Sequence, residues 1–367
     1  MARGAEQPPD TKTTVPAPRA NPYLLGHESA ERELRRLVEA GRLPHAILLS
    51  GPRGIGKATL AFRFARFLLA QGGDSTKAAV ESGLAIDPES GVFHRAAAGG
   101  HADLLTIERV YDPRRRRLRG QIVVEDAREI TAFFRLTPAE QGWRIVVVDG
   151  AEEMNRSAAN ALLKVLEEPP RRALLLLVSH SPGRLLPTIR SRCRRFAMFP
   201  LACMVVTRLL RRYRPELADP EVEALAALSG GSIGRALELA EAGGPGLYRS
   251  VLGLLSQIPR LDVIRLHAFA DQLARADAED AYRAGGELLL QLLARITAYS
   301  AGRQLGGEEV VGGETETIRR LAARSDAASW AGLRDDITRN FANTDQLNLD
   351  RKQAILGAFF AIEQLAL

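Results

Sequence analysis

The sequence predicts an α/β fold: a parallel sheet flanked by helices, followed by a small helical lid and an all-helical C-terminal domain. Three observations carry this. Between Pro22 and about Pro200, short apolar runs alternate with segments of helical periodicity, the pattern of a sheet covered by helices. Several of these runs are continuously apolar rather than alternating, as strands buried on both faces tend to be. After Pro200 the strand signal stops and helical patterns continue to Leu367.

In chain order, residues 1–20 carry Pro8, Pro9, Pro16 and Pro18 among small and charged residues, which reads as a disordered tail. The first domain is expected over 21–200. Its strand candidates are Ala46 to Ser50, Leu104 to Ile107, Ile122 to Val124, Arg144 to Asp149, Leu174 to Ser179 and Arg195 to Phe199. Leu60, Phe64, Phe67 and Leu68 repeat at helical spacing over Thr59 to Leu69, and Ala158, Leu162, Leu163, Val165 and Leu166 do so before Pro169-Pro170 ends that helix. Residues 201–242 read as a helical lid ending in Gly230-Gly231-Ser232-Ile233-Gly234-Arg235, and Gly243-Gly244-Pro245-Gly246 reads as a hinge. From 246 to 367 the chain is helical, including Glu287 to Tyr299 and Arg351 to Leu367, the latter with Ile355, Phe359 and Ile362 on one face.

At 367 residues and 46% hydrophobic content the chain has room for two or three domains with cores of their own. Lys plus Arg number 50 against 44 Asp plus Glu, a surplus that suits a phosphate-rich partner without requiring one. Cys193 and Cys203 are the only cysteines, so neither a disulfide framework nor a four-thiolate zinc site is expected, and no metal. No run approaches the roughly 18 apolar residues that span a bilayer, and the N-terminus lacks an apolar signal core. A cytoplasmic protein is expected.

The chemistry is concentrated at two places. Gly51-Pro52-Arg53-Gly54-Ile55-Gly56-Lys57 lies between the strand Ala46 to Ser50 and the next helix. There backbone N–H groups and the helix dipole can face a phosphate, and glycine permits close approach. A hydrolysing loop of this kind places Ser or Thr directly after the lysine to bind magnesium. Here that position is Ala58, and Thr59 sits about 100° further round the helix. The strand Ile145 to Val148 should deliver two acids, one organising magnesium and one polarising water; Asp149 fills the first place and Gly150 leaves the second without a side chain. Glu152 and Glu153 are expected to point elsewhere, as acids at a helix N-terminus. ATP or ADP binding stays open, efficient hydrolysis is not expected, and no cofactor is required.

Four further motifs stand out: Leu43-Pro44-His45-Ala46, Gly100-His101-Ala102-Asp103-Leu104, Asn160 to Pro170 (Asn-Ala-Leu-Leu-Lys, then Leu-Glu-Glu-Pro-Pro) and Ser191-Arg192-Cys193. Through them the chain resembles the AAA+ clamp-loader family of the bacterial DNA polymerase III holoenzyme, the DNA-directed DNA polymerase assembly. The resemblance covers about residues 21–240 and extends loosely through the C-terminal helices. It implies a pentameric ring that opens the sliding clamp and places it on primed DNA, with gamma/tau motor subunits and a delta subunit as partners. It implies that Arg192 is an arginine finger reaching a neighbour's ATP site in trans, a use that suits a guanidinium fork. It also implies that Gly51, Gly54, Gly56, Lys57, Thr59, Asp149 and Arg235 form a degenerate nucleotide site, with Arg235 as second sensor and Ser179 where the first sensor falls, and that residues 246–367 form the oligomerising collar. Family members often carry four zinc-binding cysteines between the loop helix and the Gly-His segment; Gln71 to Gly99 has none. The run Arg114 to Arg117 with Arg119 reads as a solvated hairpin tip that could touch DNA. Two other readings compete: a working gamma/tau-like ATPase, opposed by Ala58 and Gly150, and a small-molecule kinase, which leaves Ser191-Arg192-Cys193 unexplained.

Overall fold

The computed structural model describes residues 15–72, 83–112, 117–140, 142–304 and 309–367. The chain divides into two compact units, one reaching Val205 and taking in Gly231–Gly234, the other comprising Val206–Gly230 and Arg235–Leu367.

In the first unit, β1 (Ala46–Ser50), β2 (Leu104–Ile107), β5 (Arg144–Asp149), β6 (Ala173–Ser179) and β7 (Arg194–Ala197) form one sheet in the order β2-β5-β6-β1-β7, with every pairing parallel. Helices α1 (Glu28–Glu39), α2 (Lys57–Gly72), α3 (Gly91–Ala97), α4 (Val124–Arg135), α5 (Arg156–Glu167) and the short α6 (Pro187–Arg190) belong to the same unit. The uninterrupted apolar strands are divided between two cores by the pleat. Ile47, Leu49, Ile145, Val147, Leu174 and Leu176 pack with Leu60, Phe64, Phe67 and Leu68 of α2. Leu48, Val146, Val148, Leu175 and Leu177 pack on the other face with α4 and α5. Parallel register sets Ser50 opposite Ser179 and Asp149 opposite Val178. The polar ends of three strands therefore share the C-terminal edge, where open α/β sheets bind ligands.

The structure departs from the sequence reading at several points. Ile122 makes only an isolated bridge to Met154, and Val124 already begins α4. The apolar trio is a helix entrance, fixed because the Val123 N–H donates to the Asp126 carboxylate at 2.8 Å. Of the expected disordered tail, residues 1–14 lie outside the described set, but Pro18–Ala20 form a 3-10 turn held by the buried Arg66, which donates to the carbonyls of Arg19 and Asn21. Tyr111–Asp112 (β3) and Arg117–Leu118 (β4) pair antiparallel; the tip between them, with Arg114 to Arg116, lies outside the described residues.

The second unit contains α8 (Asp219–Leu228), α10 (Gly244–Leu255), α11 (Val263–Ala274), α12 (Glu279–Ser300), α13 (Glu314–Ala322), α14 (Ala327–Leu347) and α15 (Arg351–Ala366), and most of α7 (Cys203–Tyr213) and α9 (Ile233–Glu241). The expected glycine hinge is the start of α10: Gly243 takes the left-handed conformation at the N-cap, and Pro245 sits in the first turn, where its missing N–H costs nothing. A fully buried Glu314 ties this unit together. Its carboxylate accepts from the Tyr248 hydroxyl at 2.6 Å and the Val310 N–H at 3.0 Å and pairs with Arg295, so its charge is matched rather than stranded.

Candidate functional site

The loop between β1 and α2 is held by its carbonyls. Lys57 Nζ donates to Pro52 O, Ser232 Oγ to Arg53 O at 2.9 Å, Gly234 N to Gly54 O at 2.9 Å, and His27 Nε2 to Ile55 O at 2.6 Å. Four successive carbonyls turned toward protein donors leave the loop a fixed path between strand and helix. Gly54, at φ +74°, is required both by its left-handed backbone and by space, since a Cβ there would stand 2.3 Å from Ser232 Oγ. The loop thus rests against Gly231–Gly234, about 180 residues later in the chain. Gly56 and its neighbour Lys57 complete the turn, and a Cβ on Gly56 would press on Leu24 and His27.

Next to the loop stand the acids. Lys57 is 3% exposed; burial lowers its pKa to about 8 against the opposing pull of Asp149 and Glu152. Asp149, at the end of β5, is pushed up to about 6 by burial and by Glu108, with Lys57 acting the other way. In both members of the pair, desolvation outweighs mutual attraction. Gly150 follows at φ +76°, and the 3-10 turn Ala151–Glu153 then brings the chain back. The expectation that Glu152 aims elsewhere is corrected: its carboxylate accepts the His180 N–H at 2.8 Å. Burial opposes its ionisation, but hydrogen bonding from its own backbone and from the His180 N–H prevails, and its pKa is lowered. Glu153 does turn away, to Arg109 at 2.7 Å. Thr59 is buried one helical step past Ala58.

The loop, Lys57, Asp149, Glu152, Ser179 and His180 therefore meet at one edge. That edge can hold an anion on backbone N–H groups and a lysine. It has no hydroxyl directly after Lys57 and no side chain at 150, and Glu152 is committed to a backbone N–H. His27, Ser232, Gly234, Glu152 and His180 were not singled out by sequence as contacts of this edge. Only Ser232 and Gly234 carried a signal, as members of the glycine-rich run.

Arg192 stands on another part of the first unit. Its neighbours Ile189 and Cys193 are buried with Leu162, Val165 and Leu166 of α5, so the backbone at 192 is pinned on both sides. Burial pushes the Cys193 thiol up to about 12, which makes it a packing residue. The Arg192 guanidinium donates to Thr188 O at 3.1 Å and to Glu167 Oε1 at 2.9 Å and stays over a third exposed. Arg194 is engaged by Glu33 at 2.7 Å. Arg235 belongs to the second unit, where it donates to Gln291 Oε1 of α12 at 3.0 Å with Glu287 nearby. The Gly100-to-Leu104 segment is structural: Asp103 is buried and its carboxylate accepts the N–H groups of Ala139 and Glu140.

Residues 26–202 match the family model described as DNA polymerase III, delta subunit. The DNA polymerase III subunit delta' of Pseudomonas aeruginosa is 40% identical over 188 residues, 51% of this chain and 53% of that protein. The DNA polymerase III subunit gamma/tau of Mycobacterium tuberculosis is 29% identical over 264 residues, 70% of this chain and 43% of that protein. The chain thus spans about half the length of these relatives. A solved DNA polymerase III gamma subunit-related protein from Thermotoga maritima superposes with a TM-score of 0.40 at 17% identity, covering 93% of this chain and all of that one. The fold assignment rests on the strand order above.

Proposed function

We propose, from the match of residues 26–202 to the DNA polymerase III delta-subunit family model and from the 40% identity to a delta' subunit, that the chain is a non-motor, delta-prime-like member of the clamp-loader ring. In this reading it turns over no ATP of its own and donates Arg192 to the ATP site of an adjacent gamma/tau motor subunit, while the ring, with delta, loads the sliding clamp onto primed DNA. It is part of the polymerase holoenzyme without carrying polymerase chemistry.

The observation that supports this best is a contrast within one unit. The phosphate loop keeps Lys57 and Asp149 but lacks the magnesium hydroxyl at Ala58 and any side chain at Gly150, whereas Arg192 is exposed on a rigid mount. The gamma/tau relatives favour a motor reading only where the loop could hydrolyse, and Ala58 with Gly150 argues against that here. In this proposal nucleotide is dispensable: the loop is held by Ser232, Gly234 and His27, and Arg235 serves to join the lid helix to α12. Residues 246–367 are the proposed collar that anchors the chain in the ring.

Reconstitution with the cognate motor and delta subunits tests this. The purified chain alone should hydrolyse ATP far below the roughly 1 per second of an ordinary enzyme. DNA-stimulated hydrolysis by the ring should depend on Arg192, and a chain lacking 246–367 should fail to co-purify with the motors. Robust turnover by the isolated chain, abolished by Lys57→Ala, would replace this reading with the motor one.

A further inference from the structure

Resting on the finger reading of Arg192, we propose that Glu167 is the positioning residue of that finger. An arginine on a surface helix end samples many rotamers, and fixing such a side chain on docking carries an entropic cost. Here much of that ordering is done in the free chain. Arg192 Nη2 donates to Glu167 Oε1 at 2.9 Å and Nη1 donates to Thr188 O at 3.1 Å, so two acceptors hold the fork in one orientation. A guanidinium has five N–H donors; these two contacts occupy one on each terminal nitrogen, and the remaining three stay available to phosphate oxygens.

Both acceptors sit on fixed backbone. Thr188 belongs to α6, whose Ile189 is buried, together with Cys193 just beyond the helix, in the core shared with α5. Glu167 is the last residue of α5, and the chain beyond it is stopped by Pro169 and Pro170, so the carboxylate projects from a helix end that cannot extend. The ion pair is exposed on both sides and contributes little to folding. What it supplies is placement. The Glu167 carboxylate pairs with the Arg192 guanidinium and in this proposal acts through it.

The test uses the ring reconstituted from full-length subunits, with ATP sites other than the one served by this chain silenced in the motor subunits, and compares Glu167→Ala, Glu167→Gln and Arg192→Ala. Glu167→Ala should lower kcat at the served site by about five- to tenfold, a modest misplacement of a catalytic group. KM for ATP, ring assembly and thermal midpoint should be unchanged. Glu167→Gln keeps an acceptor oxygen at the same reach and should recover most of the rate. Glu167→Ala at the wild-type rate beside a slow Arg192→Ala would overturn the positioning role while leaving the finger intact. A faster Glu167→Ala would overturn it too, by showing that the carboxylate holds the finger back, and Glu167→Gln no better than Glu167→Ala would show that charge, not placement, matters. Wild-type rates in Arg192→Ala would remove the finger reading and this inference with it.

Discussion

The phosphate-loop edge and the Arg192 edge of the same unit handle charge in opposite ways. At the loop, Lys57 and Asp149 are both desolvated, and burial draws both toward neutrality, to about 8 and about 6. At the proposed finger, Arg192 stays exposed beside Glu167, with its backbone pinned by the buried Ile189 and Cys193. The loop edge also closes on itself through Ser232, Gly234 and His27, whereas the finger edge leaves donors facing outward. One edge is organised for the chain's own coherence, the other for something outside it. On the proposed reading, that is the division of labour of a subunit that consumes no ATP itself but completes a neighbour's site.

The sharpest way to break this comparison is to disable each edge in turn in the reconstituted ring. Arg192→Ala should slow hydrolysis at the served site by about 10³-fold or more, the range of an arginine finger in trans. Arg192→Lys should recover little, because a point charge lacks the fork. Lys57→Ala should change the same rate by less than about twofold, since an interaction made in neither ground nor transition state of that site cannot matter to it. Single-turnover rates with Arg194→Ala as the control would decide: equal losses from Lys57→Ala and Arg192→Ala would erase the distinction.

A second test tries to turn the loop edge back into a motor. Ala58→Ser with Gly150→Glu restores the missing residue types, yet hydrolysis should not return. Residue 150 is left-handed, and a Cβ there would stand 2.7 Å from the Glu153 carboxylate, so the new acid is strained and repelled at once. A loss of about 2 kcal/mol in unfolding free energy is expected, read by denaturant titration. Full ATPase with unchanged stability would mean that the site is only two side chains from working.

Much of this was legible in the sequence because the strands are buried on both faces. The continuous apolar runs at Arg144 to Asp149 and Leu174 to Ser179 predict strands, as a covered parallel sheet requires, and the strands found are Arg144–Asp149 and Ala173–Ser179. The same rule misread Ile122 to Val124, where three apolar residues serve a helix entrance capped by Asp126. The glycine run at 243–246 was misread as a hinge although Pro245 marks a first helical turn; glycine content outweighed position. At the site, Lys57, Asp149 and Arg192 were visible from local motifs. Their partners were not: Ser232 reaches Arg53 and His27 reaches Ile55 across the fold, and Glu167 lies 25 residues from Arg192. Glu152 was misjudged because left-handed Gly150 reverses the chain in a way that residue spacing does not encode.

A final test concerns the pH dependence of stability at the loop edge, and its sign separates that edge from an ordinary ion pair. Asp149 has its pKa raised from 3.8 to about 6 by burial. Below both values the carboxyl is protonated in folded and unfolded chains alike and contributes no difference. As pH rises from about 4 to 6 the unfolded chain gives up the proton more readily, so native stability falls, and above about 6 the penalty is constant. Asp149→Asn cannot ionise and escapes that penalty. It should therefore be more stable than the wild type by about 1–3 kcal/mol at pH 7 to 8, with the advantage shrinking to nothing as pH drops toward 4. Lys57, lowered to about 8, adds the mirror image: the wild type should regain stability as pH rises from about 8 toward 10. Denaturant midpoints across pH 4 to 9 for both proteins measure the first effect directly. If Asp149→Asn is instead the less stable protein at pH 8, attraction between Asp149 and Lys57 outweighs their desolvation, and the loop edge is a working ion pair kept ready for a ligand.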